Sequence, residues 1–147
     1  MLIRKATLDD IDEICLMESL FVKPYTKQQV KYEIVENPAS NILLAVSNEN
    51  PKLIYGFIDF WITFDSATIC QIAVKKEYQN QGVASMLLNE SYMILKANDV
   101  LFYTLEVREH NTNAINLYLK HGFTKVTIKE QYYANGENAI YMLKGLN

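Results

Sequence analysis

The feature that most restricts the fold of this chain is an apolar strand followed by a polar turn and a long amphipathic helix. Residues 68–74 read TICQIAV and favour a β-strand, and apolar residues from Ala84 to Leu95 recur at helical spacing. The turn between them, KKEYQNQG, ends at Gly82. A second strand-like segment, LFYTLEV over residues 101–107, follows the helix. The sequence therefore predicts a β-α-β crossover between parallel strands.

Two further helices are predicted before this unit. Thr7 or Asp9 can cap a helix that reaches about Leu20, because threonine and aspartate side chains accept hydrogen bonds from the first free N–H groups of a helix. Thr26 is a second cap, and the helix that follows it stops before Pro38, since the residue before a proline avoids the helical conformation.

Strands are predicted to pair as hairpins on both sides of the crossover. Residues 2–6 form a short first strand. Residues 41–47 and 54–64 are rich in β-branched and aromatic residues and flank the polar turn NENPK, which is typical of a hairpin. Residues 123–133 and 138–143 predict a final hairpin around the tetrapeptide ANGE.

The last predicted helix creates a second crossover and completes the fold class. It covers residues 111–120 and ends at Gly122, a residue type suited to the left-handed position after a helix. The order of elements is then β-α-α-β-β-β-α-β-α-β-β, which mixes hairpins with two β-α-β units. We therefore predict an α+β fold with a mixed sheet of about seven strands and about four helices.

Length, composition and charge exclude several classes of protein. A chain of 147 residues with 50% hydrophobic and 21% charged residues predicts one globular domain over residues 1–147. A net charge of −3 argues against nucleic acid as a partner. A polar N-terminus and the lack of an 18-residue apolar run predict a cytoplasmic protein that does not bind membranes. Cys15 and Cys70 lie far apart and without clustered histidines, so we expect neither a metal site nor a disulfide.

The turn before the long helix has the character of a phosphate site. Free N–H groups at a helix N-terminus attract anions, and Gly82 lets a ligand approach the backbone closely. An ordinary strand-to-helix turn would look the same, and the local sequence does not separate the two interpretations. The chain has no GxGxxG and no P-loop pattern, so dinucleotide or P-loop nucleotide binding is not indicated.

A longer stretch resembles a known family. The segment IAVKKEYQNQGVASMLL is similar to the acetyl-CoA signature of the GNAT superfamily, Gln/Arg-x-x-Gly-x-Gly/Ala, with Gln79, Gly82 and Ala84 at its fixed positions. The segments LEVREHNTNAINLYLKHGFTKV and QYYANGENAIYML extend the resemblance over about residues 54–143. Within the superfamily the chain most resembles the RimI-type alanine acetyltransferases, which modify the N-terminus of a ribosomal protein.

The resemblance implies a set of cofactor-binding residues on the strand, on the turn and on the last helix. The residues expected to bind acetyl-CoA are Ile72, Ala73, Val74, Gln79, Asn80, Gln81, Gly82, Val83, Ala84, Ser85 and Asn111. It also implies a main-chain N–H near Val74 as the stabiliser of the developing oxyanion.

Two residues are candidates for proton transfer. On its own, Glu106 fits a strand-end carboxylate paired with Arg108, and Tyr118 fits a core aromatic. The resemblance implies that Glu106 is the general base and Tyr118 the general acid. Tyr118 lies seven residues after Asn111, on the same face of the helix and about 10 Å along its axis.

The acceptor region departs from the family pattern, since the family segment Pro-Trp-Ser corresponds here to Pro24-Tyr25-Thr26. The resemblance implies the N-terminal alanine of a ribosomal protein, with Tyr25, Tyr132 and Tyr133 lining the acceptor groove. A GNAT enzyme that acetylates a small-molecule amine is one alternative. A non-catalytic acyl-CoA-binding module is another, although it would need neither the acid nor the base.

Overall fold

The computed structural model describes residues 1–19, 21 and 24–146, in which seven strands form one mixed sheet and four α-helices pack against it. The strands are β1 (Leu2–Lys5), β2 (Ser40–Val46), β3 (Ile54–Thr63), β4 (Ser66–Val74), β5 (Phe102–Arg108), β6 (Thr124–Lys129) and β7 (Ala139–Gly145). The helices are α1 (Ile11–Glu18), α2 (Lys27–Val35), α3 (Val83–Ala97) and α4 (Thr112–Lys120). The predicted α+β class and the predicted order of elements are confirmed.

The sheet has the order β1-β2-β3-β4-β5-β7-β6, and its centre contains a gap. Parallel β4 and β5 pair only where Ser66–Ile69 face Phe102–Leu105. Both strands continue beyond this point, β4 still paired with β3 and β5 still paired with β7. The two central strands therefore diverge, and their facing edges have no strand partner along the described residues 70–74 and 106–108.

Helices cover both faces of the sheet. On one face α3 packs mainly on β2, β3 and β4 beside α4, and Leu87, Leu88 and Tyr103 are fully buried there. On the other face α1 and α2 pack on β2 and β3, where Ile14 and Phe57 are buried. Each such side chain contributes roughly 1.5–3 kcal/mol by leaving water. Together the two layers fix the positions of the diverging strands.

The helix ends follow the predicted caps with one exception. Gln29 donates its backbone N–H to Thr26 Oγ1 at 3.1 Å, which confirms the predicted cap of α2. The first helix starts later than predicted, at Ile11, after a 3-10 turn over Leu8–Asp10. Asp10, and not Asp9, accepts the Thr7 N–H at 2.8 Å. The predicted end of this helix at Leu20 lies outside the described residues.

The final hairpin is shorter than predicted. β6 ends at Lys129, and residues 130–138 form a connection. Tyr132 and Tyr133, which were predicted to lie in a strand, therefore lie in this connection. Gln131 adopts a φ of 49°, which interrupts the extended backbone, and its N–H donates to Asn138 Oδ1 at 2.9 Å. The connection therefore folds back over the sheet.

The longest helix, α3, has 15 residues. No helix in the described part of the chain combines the length and the apolar character needed to cross a membrane.

Candidate active site

The turn before α3 has a backbone that only certain residues adopt easily. Gly82 is the N-cap of α3 with φ 81°, and Asn80 has φ 62°. These left-handed conformations favour glycine and asparagine. The first turn of α3 contains no acidic residue, so its free N–H groups face no competing carboxylate. This geometry is suited to binding an anion.

The side chains of the two glutamines in this turn stabilise it. Gln79 Nε2 donates to the carbonyl of Val74 at 3.0 Å, and Gln81 Nε2 donates to the carbonyl of Glu77 at 3.2 Å. Tyr78 packs against Tyr55 of β3 with ring centroids 4.2 Å apart. The turn is therefore fixed to the end of β4 and to its neighbouring strand.

A cavity of about 690 Å³, here named the loop cavity, lies between the end of β4, the turn and α4. Every residue predicted to bind acetyl-CoA lines it except Gln81. Residues lining it that the sequence analysis did not identify are Tyr78, Asn113, Ala114, Asn116, Leu117 and Lys120. Those from Asn113 to Lys120 follow helical spacing, and this periodicity was the signal that could have identified them.

The loop cavity is bounded by a contact between two helices. His121 Nε2 and Ser85 Oγ lie 2.9 Å apart and join the end of α4 to the first turn of α3. Burial lowers the pKa of His121, and the nearby charges of Lys144 and Lys120 lower it further. The imidazole of His121 is therefore neutral at neutral pH. Among the described residues that line the loop cavity, Lys120 is the one cationic side chain.

A second cavity of about 600 Å³, here named the Glu106 cavity, lies on the other side of the gap between β4 and β5. Tyr25, Tyr132 and Tyr133, the three residues predicted for the acceptor groove, all line it together with Glu106. The other residues that line the Glu106 cavity and not the loop cavity are Phe21, Ile69, Cys70, Gln71, Leu105, Val107, Arg108 and Ala134.

The two cavities meet at the gap in the sheet. Ile72, Asn111, Ala114 and Tyr118 line both of them. Tyr118, on α4, is only 5% exposed, and its ring packs edge-on against Phe123 with centroids 5.7 Å apart. Burial raises the pKa of Tyr118, and the neighbouring tyrosines 133 and 92 raise it further. The phenol at the junction therefore retains its proton at neutral pH.

Glu106 does not pair with Arg108, which corrects the interpretation based on the strand alone. Glu106 Oε1 accepts a hydrogen bond from Lys129 Nζ at 3.1 Å. Arg108 instead lies 3.4 Å from a carboxylate oxygen of Glu137 and stacks 3.9 Å above the ring of Tyr133. Glu106 Oε2 is buried and has no hydrogen-bond partner among the described residues.

Tyr132 faces the same carboxylate. Its interaction with Glu106, together with burial, raises the pKa of the Tyr132 phenol to about 12. The ring of Tyr132 contacts the ring of Tyr133 edge-on, with centroids 5.1 Å apart. The two tyrosines thus form an aromatic wall beside Glu106.

The opposite wall depends on a buried carboxylate that the sequence analysis missed. Glu18 is 1% exposed, and its Oε1 accepts the backbone N–H of Tyr25 at 2.6 Å and the side-chain N–H of Gln71 at 3.0 Å. Both partners line the Glu106 cavity. Because Glu18 belongs to no motif and its partner Gln71 is 53 residues away in sequence, only the fold reveals this role.

Comparisons with known proteins agree with this architecture. A model of the Acetyltransferase (GNAT) family matches residues 7–123. A Bacillus subtilis (strain 168) relative, provisionally named a ribosomal protein bS18-alanine N-acetyltransferase, is 35% identical over 99% of this chain and 95% of its own length. An N-alpha-acetyltransferase of Sulfurisphaera tokodaii is 31% identical over 95% of this chain and 90% of its own length.

A solved structure extends the similarity to three dimensions. The crystal structure of the ribosomal-protein-S18-alanine N-acetyltransferase from Escherichia coli matches with a TM-score of 0.87 and 27% identity, over 99% of this chain and 94% of that one. The chain is an N-acetyltransferase that takes its acetyl group from acetyl-CoA, and it belongs to the GNAT acetyltransferase family.

Proposed function

We propose that this enzyme acts as one domain over residues 1–147 and acetylates the N-terminal α-amino group of a protein, with a ribosomal protein beginning with alanine as the first candidate. We further propose Glu106 as the general base and Tyr118 as the general acid. The observation that carries the proposal is that the two cavities meet at Tyr118. The names of the full-length relatives support the choice of acceptor.

The loop cavity has the features needed to hold acetyl-CoA. The N-terminus of α3 would bind the pyrophosphate, and a Cβ at position 82 would meet no atom within 4 Å, so the space beside the backbone is open. The unpaired edge of β4 at Ile72, Ala73 and Val74 would offer backbone groups to the pantetheine arm. We assign cofactor binding to the predicted residues, with a main-chain N–H near Val74 as the oxyanion contact.

Gln81 is the least supported member of that set. Its side chain is engaged with the carbonyl of Glu77, and it does not line the loop cavity. We therefore assign to Gln81 a backbone contribution only.

The reaction needs a neutral amine, oxyanion stabilisation and a proton for the leaving thiolate. Acetyl-CoA supplies the acetyl group as an electrophilic thioester. Glu106 lines the cavity on the acceptor side and would accept the ammonium proton directly or through water. Tyr118 is buried at the junction with its proton retained, so its phenol is placed to donate.

The chemistry of the acceptor favours an α-amino group. Such a group has a pKa of about 7.7–8.0, so on the order of a tenth is neutral at pH 7, whereas a lysine at about 10.4 is below a thousandth neutral. A single carboxylate base is therefore sufficient for an N-terminus. A lysine acceptor would need a stronger means of deprotonation.

The lining of the Glu106 cavity also argues against a polycationic small amine. Its ionised groups among the described residues are Glu106 and Arg108, and these pair with Lys129 and Glu137. The residues that line the cavity thus carry no excess of negative charge to attract several ammonium groups. Tyr25, Tyr132 and Tyr133 instead provide aromatic walls, which suit a short extended peptide.

An acceptor panel tests the proposal. Purified enzyme would be given acetyl-CoA with an N-terminal ribosomal-protein peptide that begins with alanine, with the same peptide already N-acetylated, and with small amines such as spermidine. We expect the free peptide to have the highest kcat/KM and the blocked peptide to accept no acetyl group. Rapid turnover of a small amine beside an inert peptide would reject the proposed acceptor.

A further inference from the structure

At the edge of the Glu106 cavity, the ammonium group of Lys129 is surrounded by a carboxylate and two aromatic rings. Its Nζ is 3.1 Å from Glu106 Oε1, 5.3 Å from the ring centroid of Tyr132 and 5.1 Å from that of Tyr141. Aromatic rings within about 6 Å attract a cation through their faces. The ammonium is therefore held by one carboxylate and two aromatic rings.

The strand register explains why Lys129 reaches this position. Glu106 of β5 is opposite Tyr141 of β7, and Tyr141 is opposite Thr127 of β6. Lys129 is two residues beyond Thr127, so its side chain leaves the same face of the sheet. This arrangement places a cation next to the proposed base from a strand that does not line the cavity.

We propose that Lys129 determines acceptor specificity by cancelling the negative charge of Glu106. The proposal rests on the proposed role of Glu106. The other titratable or charged groups around Glu106 are Arg108 from β5, Tyr118 from α4, Tyr132 and Tyr133 from the 130–138 connection and Tyr141 from β7. The interaction with Glu106 raises the pKa of the Tyr132 phenol, and burial raises that of Tyr133, so both keep their protons at neutral pH. Arg108 is paired with Glu137, so the charges in direct contact at this point are those of Glu106 and Lys129.

A cavity in which Lys129 balances the charge of Glu106 discriminates between amines by their charge. An acceptor with one amine that binds partly in its neutral form gains contacts with the aromatic walls and loses little by meeting Lys129. A polycationic amine would be repelled by Lys129 and would find Glu106 already paired. Removing the lysine charge should relax this discrimination.

The test compares Lys129→Met and Lys129→Arg with Lys125→Met, a matched variant on the same strand. Lys125 lies in a separate groove between α4 and β6. The first readout is the carboxyl-carbon NMR titration of Glu106, assigned by the signal missing from Glu106→Gln. We expect Lys129→Met to change this titration and Lys125→Met to leave it as in the wild type, because Lys129 contacts Glu106 and Lys125 lies in the separate groove.

The second readout is the ratio of kcat/KM for spermidine to kcat/KM for the alanine peptide. We expect Lys129→Met to raise this ratio about five-fold at low ionic strength and less at high salt, whereas Lys129→Arg and Lys125→Met keep the wild-type ratio. An unchanged ratio in Lys129→Met overturns the proposal, even if the midpoint moves. Equal activity of Glu106→Gln and wild type would instead reject the proposed base and leave the effect of the Lys129 charge measurable.

Discussion

The loop cavity and the Glu106 cavity share a wall but are built in different ways. The loop cavity combines main-chain features, which are the free edge of β4, a turn with two left-handed residues and the N-terminus of α3, with residues of α4. The Glu106 cavity consists of side chains from β4, β5, α4 and the connections on either side of the sheet. Its walls depend on side-chain contacts such as those of Glu18 and Arg108.

This difference suggests that the two cavities tolerate amino-acid substitutions to different degrees. A site made of backbone depends on a few conformationally special residues and accepts many side chains elsewhere. A site made of side chains can change its ligand by single substitutions. We therefore expect changes around the loop cavity to affect acetyl-CoA and changes around the Glu106 cavity to affect the acceptor, while Tyr118 at the junction affects the rate.

The largest effect is expected at the junction itself. Tyr118→Phe should lower kcat by about 10²- to 10⁴-fold, because a positioned proton donor typically contributes that much, and acetyl-CoA affinity should be nearly unchanged. Steady-state kinetics and calorimetry measure the two quantities. Tyr92→Phe is the matched control, since that half-buried phenol donates to the carbonyl of His121 and lines neither cavity. A Tyr118→Phe enzyme as fast as Tyr92→Phe would remove Tyr118 from the mechanism.

A bulky residue in the turn should affect only the loop cavity. Gly82→Trp should weaken acetyl-CoA binding by at least about 10-fold, since each lost hydrogen bond to a charged group is worth about 1.5–3 kcal/mol. Gly136→Trp is a close control, because both glycines have positive φ, 81° and 85°, and both have open space where a Cβ would be. Calorimetry that finds equal affinities for the two variants would show that the pyrophosphate does not bind at this turn.

A change behind the Glu106 cavity should have the opposite selectivity. Glu18→Ala removes the acceptor of the Tyr25 and Gln71 hydrogen bonds, and we expect the KM for the peptide to rise about five- to ten-fold with acetyl-CoA affinity intact. Glu13→Ala, on the same helix but paired with Lys75, should leave both constants near wild type. If Glu18→Ala instead weakened both ligands alike, the walls of the two cavities would not be independent.

The smallest effect concerns stability and pH. Burial, with the nearby Glu33 carboxyl, raises the pKa of Asp59 to about 8, and Asp59 is opposite Gln71 in the sheet. The folded protein therefore keeps this proton up to a higher pH than the unfolded chain, whose aspartates titrate near 3.9. The stabilisation is complete below the unfolded pKa and is lost as pH rises toward 8.

Asp59→Asn should remove that dependence. We expect the Tm of the wild type to fall by about 3 °C more than that of Asp59→Asn between pH 6 and pH 8.5, as followed by circular dichroism. Parallel Tm curves for the two proteins would mean that Asp59 titrates as an ordinary exposed carboxylate.

The same contrast explains which features were predictable from the sequence. The turn of the loop cavity is one contiguous segment, so the sequence from Gln79 to Ala84 was enough to place this turn between a strand and a helix, as the structure has it. The fold class and element order were also readable, because hydrophobic periodicity changes clearly between strands and helices.

The features that were missed depend on contacts distant in sequence. Lys129 reaches Glu106 only through the register of three strands, and Glu18 reaches Tyr25 and Gln71 only after α1 packs on the sheet. The left-handed Gln131 ended β6 early, although its sequence neighbours favour a strand. Such contacts are set by tertiary packing and not by local propensity.

The proposed acetyl transfer depends above all on the two cavities meeting at Tyr118. A conjugate that spans both cavities tests this most directly. In the conjugate, the sulfur of CoA is joined through an acetyl linker to the α-nitrogen of an alanine-starting peptide. We predict by calorimetry that it binds at least about 100-fold more tightly than CoA. A ligand that occupies two linked sites combines the binding free energies of both, because binding at the first site raises the effective concentration at the second. Glu18→Ala should reduce that gain by about five- to ten-fold and retain CoA binding. A conjugate that binds no more tightly than CoA would contradict the account.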